Sequence, residues 1–317
     1  MSTLQPTPSP LFTRLVYVAF GLMAMVLMLS AYLRLSGAGL GCADWPACYG
    51  QGYADPSISK QASTPARLAH RLTATTLSLV ILAISVMAWR RRQQAAGQWG
   101  AALLALGLTL FLSVLGIWTP GTRLPAVVLG NLLGGMALLG VLWWLSLSAR
   151  SPGATRVEAR FRTAAWFGQI LLFVQIGLGG LVSANFAASA CTHFPLCETA
   201  WLDAWSWTAF NPWRELVVQS NGAVSLPLDA AAIQVTHWAT AVAIDIYLLW
   251  LGLSTVNSDA ASRYGKALVS LTLLQALLGF AAVKFAHPLA VVLAHNALAA
   301  LLLLTLLSLA YRPHDHA

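Results

Sequence analysis

Only 28 of the 317 residues are charged (18 Lys and Arg, 10 Asp and Glu), 58% are hydrophobic, and the mean hydropathy is +0.70. Ordinary soluble domains carry ~25% charged residues, and no core of this size could enclose so much apolar side chain; a soluble, disordered or collagen-like chain is excluded. The net charge of +8 does not mark a nucleic-acid partner, because the basic residues are scattered between apolar stretches and form no face. In chain order, a Pro-containing tail of 14 residues precedes apolar spans at about 15–33, 67–89, 99–118, 126–149, 163–183, 231–255, 267–285 and 289–311. Each is long enough to cross a hydrocarbon core of ~30 Å. The fold class is therefore an all-α integral membrane protein with eight transmembrane helices, the first retained because no small-residue cleavage site follows it. The loops at about 34–66 and 184–230, rich in Gly, Pro and Trp, read as compact irregular caps.

Eight crossings put both ends on one side. Arg14, the run Arg90 to Arg92, the group Arg150, Arg156, Arg160 and Arg162, then Arg263, Lys266 and Arg312 share that side, while Asp44, Asp55, Glu198, Asp203, Glu215 and Asp229 lie opposite. The excess of Lys and Arg places both termini in the cytoplasm and the cysteine-bearing loops outside.

The chain repeats. Cys42-Ala-Asp-Trp-Pro-Ala-Cys48 matches Cys191-Thr-His-Phe-Pro-Leu-Cys197 at an offset of 149, and Ala126-Val-Val-Leu-Gly-Asn131 matches Ala290-Val-Val-Leu-Ala-His295 at 164. Four spans separate the copies, so they share one orientation and describe two tandem four-helix bundles, 1–150 and 151–317. Each pair of cysteines is C-x5-C in an oxidising compartment. A disulfide closing about seven residues would stabilise its loop by ~2.4 kcal/mol on the chain-entropy model; redox activity is the alternative, and zinc does not suit this spacing.

Histidines carry the sharper signal. His70, His237 and His295 lie about four, seven and seven residues into the second, sixth and eighth spans, all of which start from the outer face. At 1.5 Å per residue they sit ~5 to 10 Å below the outer edge of the hydrocarbon region. Imidazoles at equal depth on neighbouring helices are what axial ligation of a b-type heme requires, and a polar residue in lipid is costly without a function. His237 and His295 are the expected pair; interhelical hydrogen bonding is the alternative. His70 has Asn131 at its partner's position, which would leave an iron on His70 with an open face. Arg67 and Arg71 flank His70, and a guanidinium at the interface would bind a heme propionate or simply reach the headgroups. His193 and His287, in or beside outer loops, read as solvated, and His314 and His316 are tail residues with no case for function. Asp245, deep in the sixth span, fits either a structural or a proton-relay role. Gly130-x3-Gly134 and Gly177, Gly179 and Gly180 read as close helix approaches.

The stretch from Leu35 to Gly50 (Leu-Ser-Gly-Ala-Gly-Leu-Gly-Cys-Ala-Asp-Trp-Pro-Ala-Cys-Tyr-Gly), His70-Arg71, Leu115-Gly-Ile-Trp-Thr119, the second cysteine pair and Ala294-His295-Asn296 resemble the heme A synthases of the cytochrome oxidase assembly pathway. The resemblance covers nearly the whole chain. It implies an enzyme of the bacterial inner membrane that oxidises a methyl group of heme O to the formyl group of heme A. It also implies heme b held by His237 and His295, with Arg71 beside the cofactor-binding set, and substrate heme O handled in the first half by His70, Asn131 and Arg67. Both cysteine pairs, Cys42 with Cys48 and Cys191 with Cys197, would be disulfides. The implied partners are heme O and heme A, the lipid bilayer, a heme O synthase, assembly factors and a second copy of the chain.

Two positions depart from that family's pattern: Asn131 stands where a second histidine is usual, and Arg67 where a glutamate is usual. Both lie in the half assigned to catalysis. The competing readings are a heme-binding assembly paralogue without oxidase chemistry and a b-type cytochrome that passes quinol electrons outward.

Overall fold

The computed structural model describes residues 9–37, 56–93, 96–119, 124–149, 157–191, 197, 205–217, 224 and 229–311. Cys42, Cys48, His193, His314 and His316 lie outside the described residues. Eight α-helices follow in order: α1 Pro10–Gly37, α2 Pro56–Arg90, α3 Ala96–Trp118, α4 Pro125–Ser148, α5 Ala159–Ala184, α6 Ala230–Thr255, α7 Ser262–Lys284 and α8 Leu289–Ala310. All eight are long and apolar enough to cross a membrane, where a backbone must satisfy its own hydrogen bonds and helices do so. Proline punctuates them as its chemistry predicts, at the first position of α4 and immediately before α8.

The largest departure from the hydropathy reading is at the start of α2. Residues 56–64, expected in an irregular cap, continue α2 as helix, with Pro65 inside it and the membrane-crossing part running from Pro65 to Arg90. Hydropathy detects apolarity, not helicity, so a polar helical extension outside the lipid is invisible to it.

The packing is two rings of four. α1 meets α2 and α4, and α3 meets α2 and α4; α5 meets α6 and α8, and α7 meets α6 and α8. α2 and α4 are thus diagonal in the first ring, and α6 and α8 in the second. The inward faces superimpose on the sequence. Phe12, Val16, Ala19 and Met23 match Phe161, Ala165, Gly168 and Leu172 at an offset of 149; Leu77, Ile81 and Ile84 match Ile244, Leu248 and Leu251 at 167; Ala105 and Thr109 match Leu268 and Thr272 at 163. All but Gly168 among these lie on buried side-chain faces, and Gly168 is buried too.

The rings join through α4 against α5 and α1 and α4 against α8. Glycine permits these approaches. A Cβ at Gly180 would come within 2.8 Å of Leu129 and Leu132 on α4, and one at Gly140 within 3.1 Å of Leu307 on α8; inside the first ring, one at Gly130 would come within 2.6 Å of Leu115 on α3.

The loop before α6 is tied down at several points. Arg214 forks onto the Asp229 carboxylate, with Nη1 2.8 Å from Oδ2 and Nη2 3.2 Å from Oδ1, and Thr208 Oγ1 donates to the same Oδ2. This bidentate pair sits one residue before α6 and fixes where that helix starts. Pro212 of the same loop accepts a hydrogen bond from the Ala126 N–H at 2.8 Å, one of the orphan donors at the start of α4. Cys191 and Cys197 form a disulfide.

Candidate functional site

α6 turns His237 inward on the stripe that continues through Ile244, Leu248 and Leu251, and α8 carries His295 on the diagonal partner. His237 is seven residues past Ala230 and His295 six past Leu289, which puts both ~9 to 10 Å along helices that start from the same end. The two rings lie within electrostatic reach of each other in one interior.

The other two helices of the ring hold them. From α5, Gln175 Nε2 donates to the His237 carbonyl at 2.9 Å and lies 3.0 Å from its Nδ1, while Gln175 Oε1 accepts from the Thr240 hydroxyl at 2.7 Å. From α7, Gln275 Nε2 lies 3.0 Å from His295 Nε2. Four residues beyond each glutamine is a glycine. A Cβ at Gly179 would reach 3.1 Å from His237 Cε1, and one at Gly279 3.3 Å from His295 Cε1, so each ring lies against a helix where only glycine leaves it room. Gly179 is therefore a seat for an imidazole, not only the helix contact its sequence neighbourhood suggested.

Gln175, Gln275, Thr240 and the two glycines were missed from the sequence. The signal was present as Gln-x3-Gly on two helices one hundred residues apart, but it has meaning only once α5 and α7 are known to flank the two histidines. His295 Nδ1 and Gln275 Oε1 are buried with no hydrogen-bond partner among the described residues. Such atoms are costly in a folded interior and mark a place shaped for a ligand. Two imidazoles thus stand on diagonal helices, each beside a glutamine and seated on a glycine.

The first ring places its counterparts at the same level without that support. His70, five residues past Pro65 on the inward stripe of α2, has no hydrogen bond among the described residues. Thr73, which corresponds to Thr240, donates to the Ala69 carbonyl at 2.7 Å and lies 3.6 Å from Met25 Sδ. Asn131, diagonal to His70 on α4, donates from Nδ2 to Thr119 Oγ1 at 2.8 Å, so the last residue of the Leu115-to-Thr119 motif engages it. At the repeat offsets of 149 and 163, Gln175 and Gln275 become Val26 and Leu112. Arg67 and Arg71 are exposed and make no ion pair among the described residues. Asp245 is half-buried in α6, with no hydrogen-bond partner among the described residues.

Residues 13–307 match the family described as cytochrome oxidase assembly protein. Among curated relatives, the heme A synthase of Shewanella oneidensis is 33% identical over 306 residues, covering 90% of this chain and 92% of that protein. The heme A synthase of Shouchella clausii is 26% identical over 281 residues, covering 86% and 84%, and that of Rhizorhabdus wittichii 27% over 258 residues, covering 75% and 68%. The chain belongs to the heme A synthase family. It is accordingly a multi-pass membrane protein of an oxidoreductase family concerned with heme.

Proposed function

We propose that this heme A synthase-family protein oxidises the methyl group of heme O to the formyl group of heme A, with a heme b in the second half serving the reaction in the first. The observation that carries this is the pair His237 and His295, each braced by a glutamine and seated on a glycine. A bound heme b supplies a one-electron carrier. The residues do the rest. His237 and His295 would hold the heme by one imidazole nitrogen each; Gln175 and Thr240 set the angle of the first ring, and Gln275 that of the second, so neither ring must be ordered at the moment of binding. His70 is the substrate-side ligand, and Arg67 and Arg71 take the carboxylates of a porphyrin at the interface. The excess of basic residues around the terminus-bearing end of the bundle supports a bacterial inner-membrane orientation with both termini in the cytoplasm.

Co-expression with a heme O synthase, followed by pigment extraction and chromatography, tests the assignment. Heme b together with heme A is expected. Protein loaded with heme b but yielding no heme A would remove the enzymatic reading. A second reading, a heme-binding assembly paralogue, is favoured by one observation: the amide at the position diagonal to His70 is already engaged by Thr119. On that reading Asn131→His with Arg67→Glu creates heme A production that the natural sequence lacks; on the first reading heme A is present without the changes.

A further inference from the structure

A cavity of about 450 Å³ lies between the two rings, lined from α3, α4, α5 and α8, with Trp144, Trp166, Phe173, Leu303 and Leu307 in its wall. Its volume falls in the ~300–1,000 Å³ range of small-molecule sites. It lies in the half of the bundle nearer the termini, because its lining residues cluster toward the start of α5 and the ends of α4 and α8. The wall is apolar with one polar side chain, Gln169. Gln169 Oε1 is buried and has no hydrogen-bond partner among the described residues. A lone buried acceptor in an apolar wall is unfavourable unless an occupant donates to it.

That requirement is selective. Phospholipid acyl chains and ester carbonyls bring no donor, so a lipid filling the cavity leaves Gln169 Oε1 as it is. A fitting occupant carries a donor such as a hydroxyl at a depth of ten residues along α5, ~15 Å from its start and well inside the hydrocarbon region. The wall of the cavity also favours a ring: Trp144 and Trp166, tilted to each other with ring centroids 6.1 Å apart, and Phe173 present aromatic faces to it. We propose that the cavity binds a lipophilic hydroquinone, its ring against these aromatic side chains and one hydroxyl donating to Gln169 Oε1. Gln169 lies six residues before Gln175, and Leu303 eight beyond His295, so the ring is seated ~9 to 12 Å along the helix axes from the histidine pair. The proposal concerns binding and stands on the cavity alone, whichever chemistry the histidines perform.

The test uses the full-length protein in phospholipid nanodiscs, where bulk lipid is already a competitor in excess. Equilibrium binding is measured for a radiolabelled alkyl hydroquinone, for its dimethyl ether and for a straight-chain alcohol of matched length. The hydroquinone is expected to bind about tenfold more tightly than the ether, the scale of one buried hydrogen bond. Gln169→Leu should bring the hydroquinone down to the level of the ether and leave the ether unchanged. Ala137→Phe, which fills the cavity from α4, should weaken both. A diazirine-bearing hydroquinone should cross-link to α5 between Trp166 and Phe173 or to α8 near Leu303. Equal binding of hydroquinone and ether by the natural chain, an alcohol that binds as tightly as the hydroquinone, or cross-links confined elsewhere would each overturn the assignment.

Discussion

The two rings are built on one plan and finished differently. Their inward stripes match residue for residue, and each sets a polar group on two diagonal helices at one level. In the second ring both groups are histidines, and the two remaining helices supply Gln175, Gln275, Gly179 and Gly279. In the first, one histidine faces an asparagine tied to Thr119, and the glutamine positions hold Val26 and Leu112. A ring whose imidazoles are fixed before the ligand arrives suits a resident cofactor, since the ordering cost is already met in folding. A ring with one unbraced imidazole suits a porphyrin that must enter and leave. On the proposed function, the difference between cofactor and substrate would lie in the groups around the histidines more than in the histidines themselves.

The most severe test of that contrast removes a ligand from each ring. His295→Ala should abolish the visible absorption of the resident heme, whereas His70→Ala should leave that absorption intact and lower only retention of added heme O. Gly179→Val, with both histidines kept, should act like the ligand deletion, because a Cβ there already comes 3.1 Å from the His237 ring and valine adds two methyl groups beyond it. Absorption spectra of purified variants decide all three, and equal losses from His70→Ala and His295→Ala would erase the distinction between the rings.

A milder change exchanges the braces. Gln175→Leu should weaken heme retention in the second ring by about 10- to 100-fold, the usual range for groups that orient a metal-binding histidine. In the first ring, Val26→Gln and Leu112→Gln combined with Asn131→His should build a second bis-imidazole site. Low-temperature electron paramagnetic resonance would then show two low-spin ferric signals where the natural chain gives one. If the triple variant folds and still shows one signal, the braces do not make the difference.

Much of this was legible beforehand. Eight spans followed from hydropathy because membrane helices must be apolar along their length, and each observed helix begins and ends within a few residues of its span apart from α1 and the polar start of α2. His237 and His295 stood out because ionisable side chains are rare at that depth. The glutamines did not, for a physical reason: their importance lies in which helix packs on which, and a period read along one chain carries no information across helices. The same limit hid Gly179, which looked like any small residue in a Gly-rich run until the ring of His237 was found over it.

The smallest effect concerns the turn that presents α8. Ala286 and His287 both adopt left-handed backbone, with φ of 55° and 58°, and Pro288 follows before the helix that bears His295. Burial lowers the His287 pKa from its ordinary 6.5 to about 4. Between those values the unfolded turn takes up a proton that the folded one rejects, so the turn is fully stable above pH ~6.5 and loses stability as the pH falls toward ~4. At pH ~5 the loss should be about 1–2 kcal/mol, allowing for the partial exposure of the ring. Asparagine tolerates left-handed backbone and does not titrate. His287→Asn should therefore match the natural chain at neutral pH and exceed it under acid, as read by hydrogen exchange of residues 284–291 at the two pH values. An acid-sensitive turn in the asparagine variant would move the titrating group elsewhere and leave His287 a purely steric part of the corner.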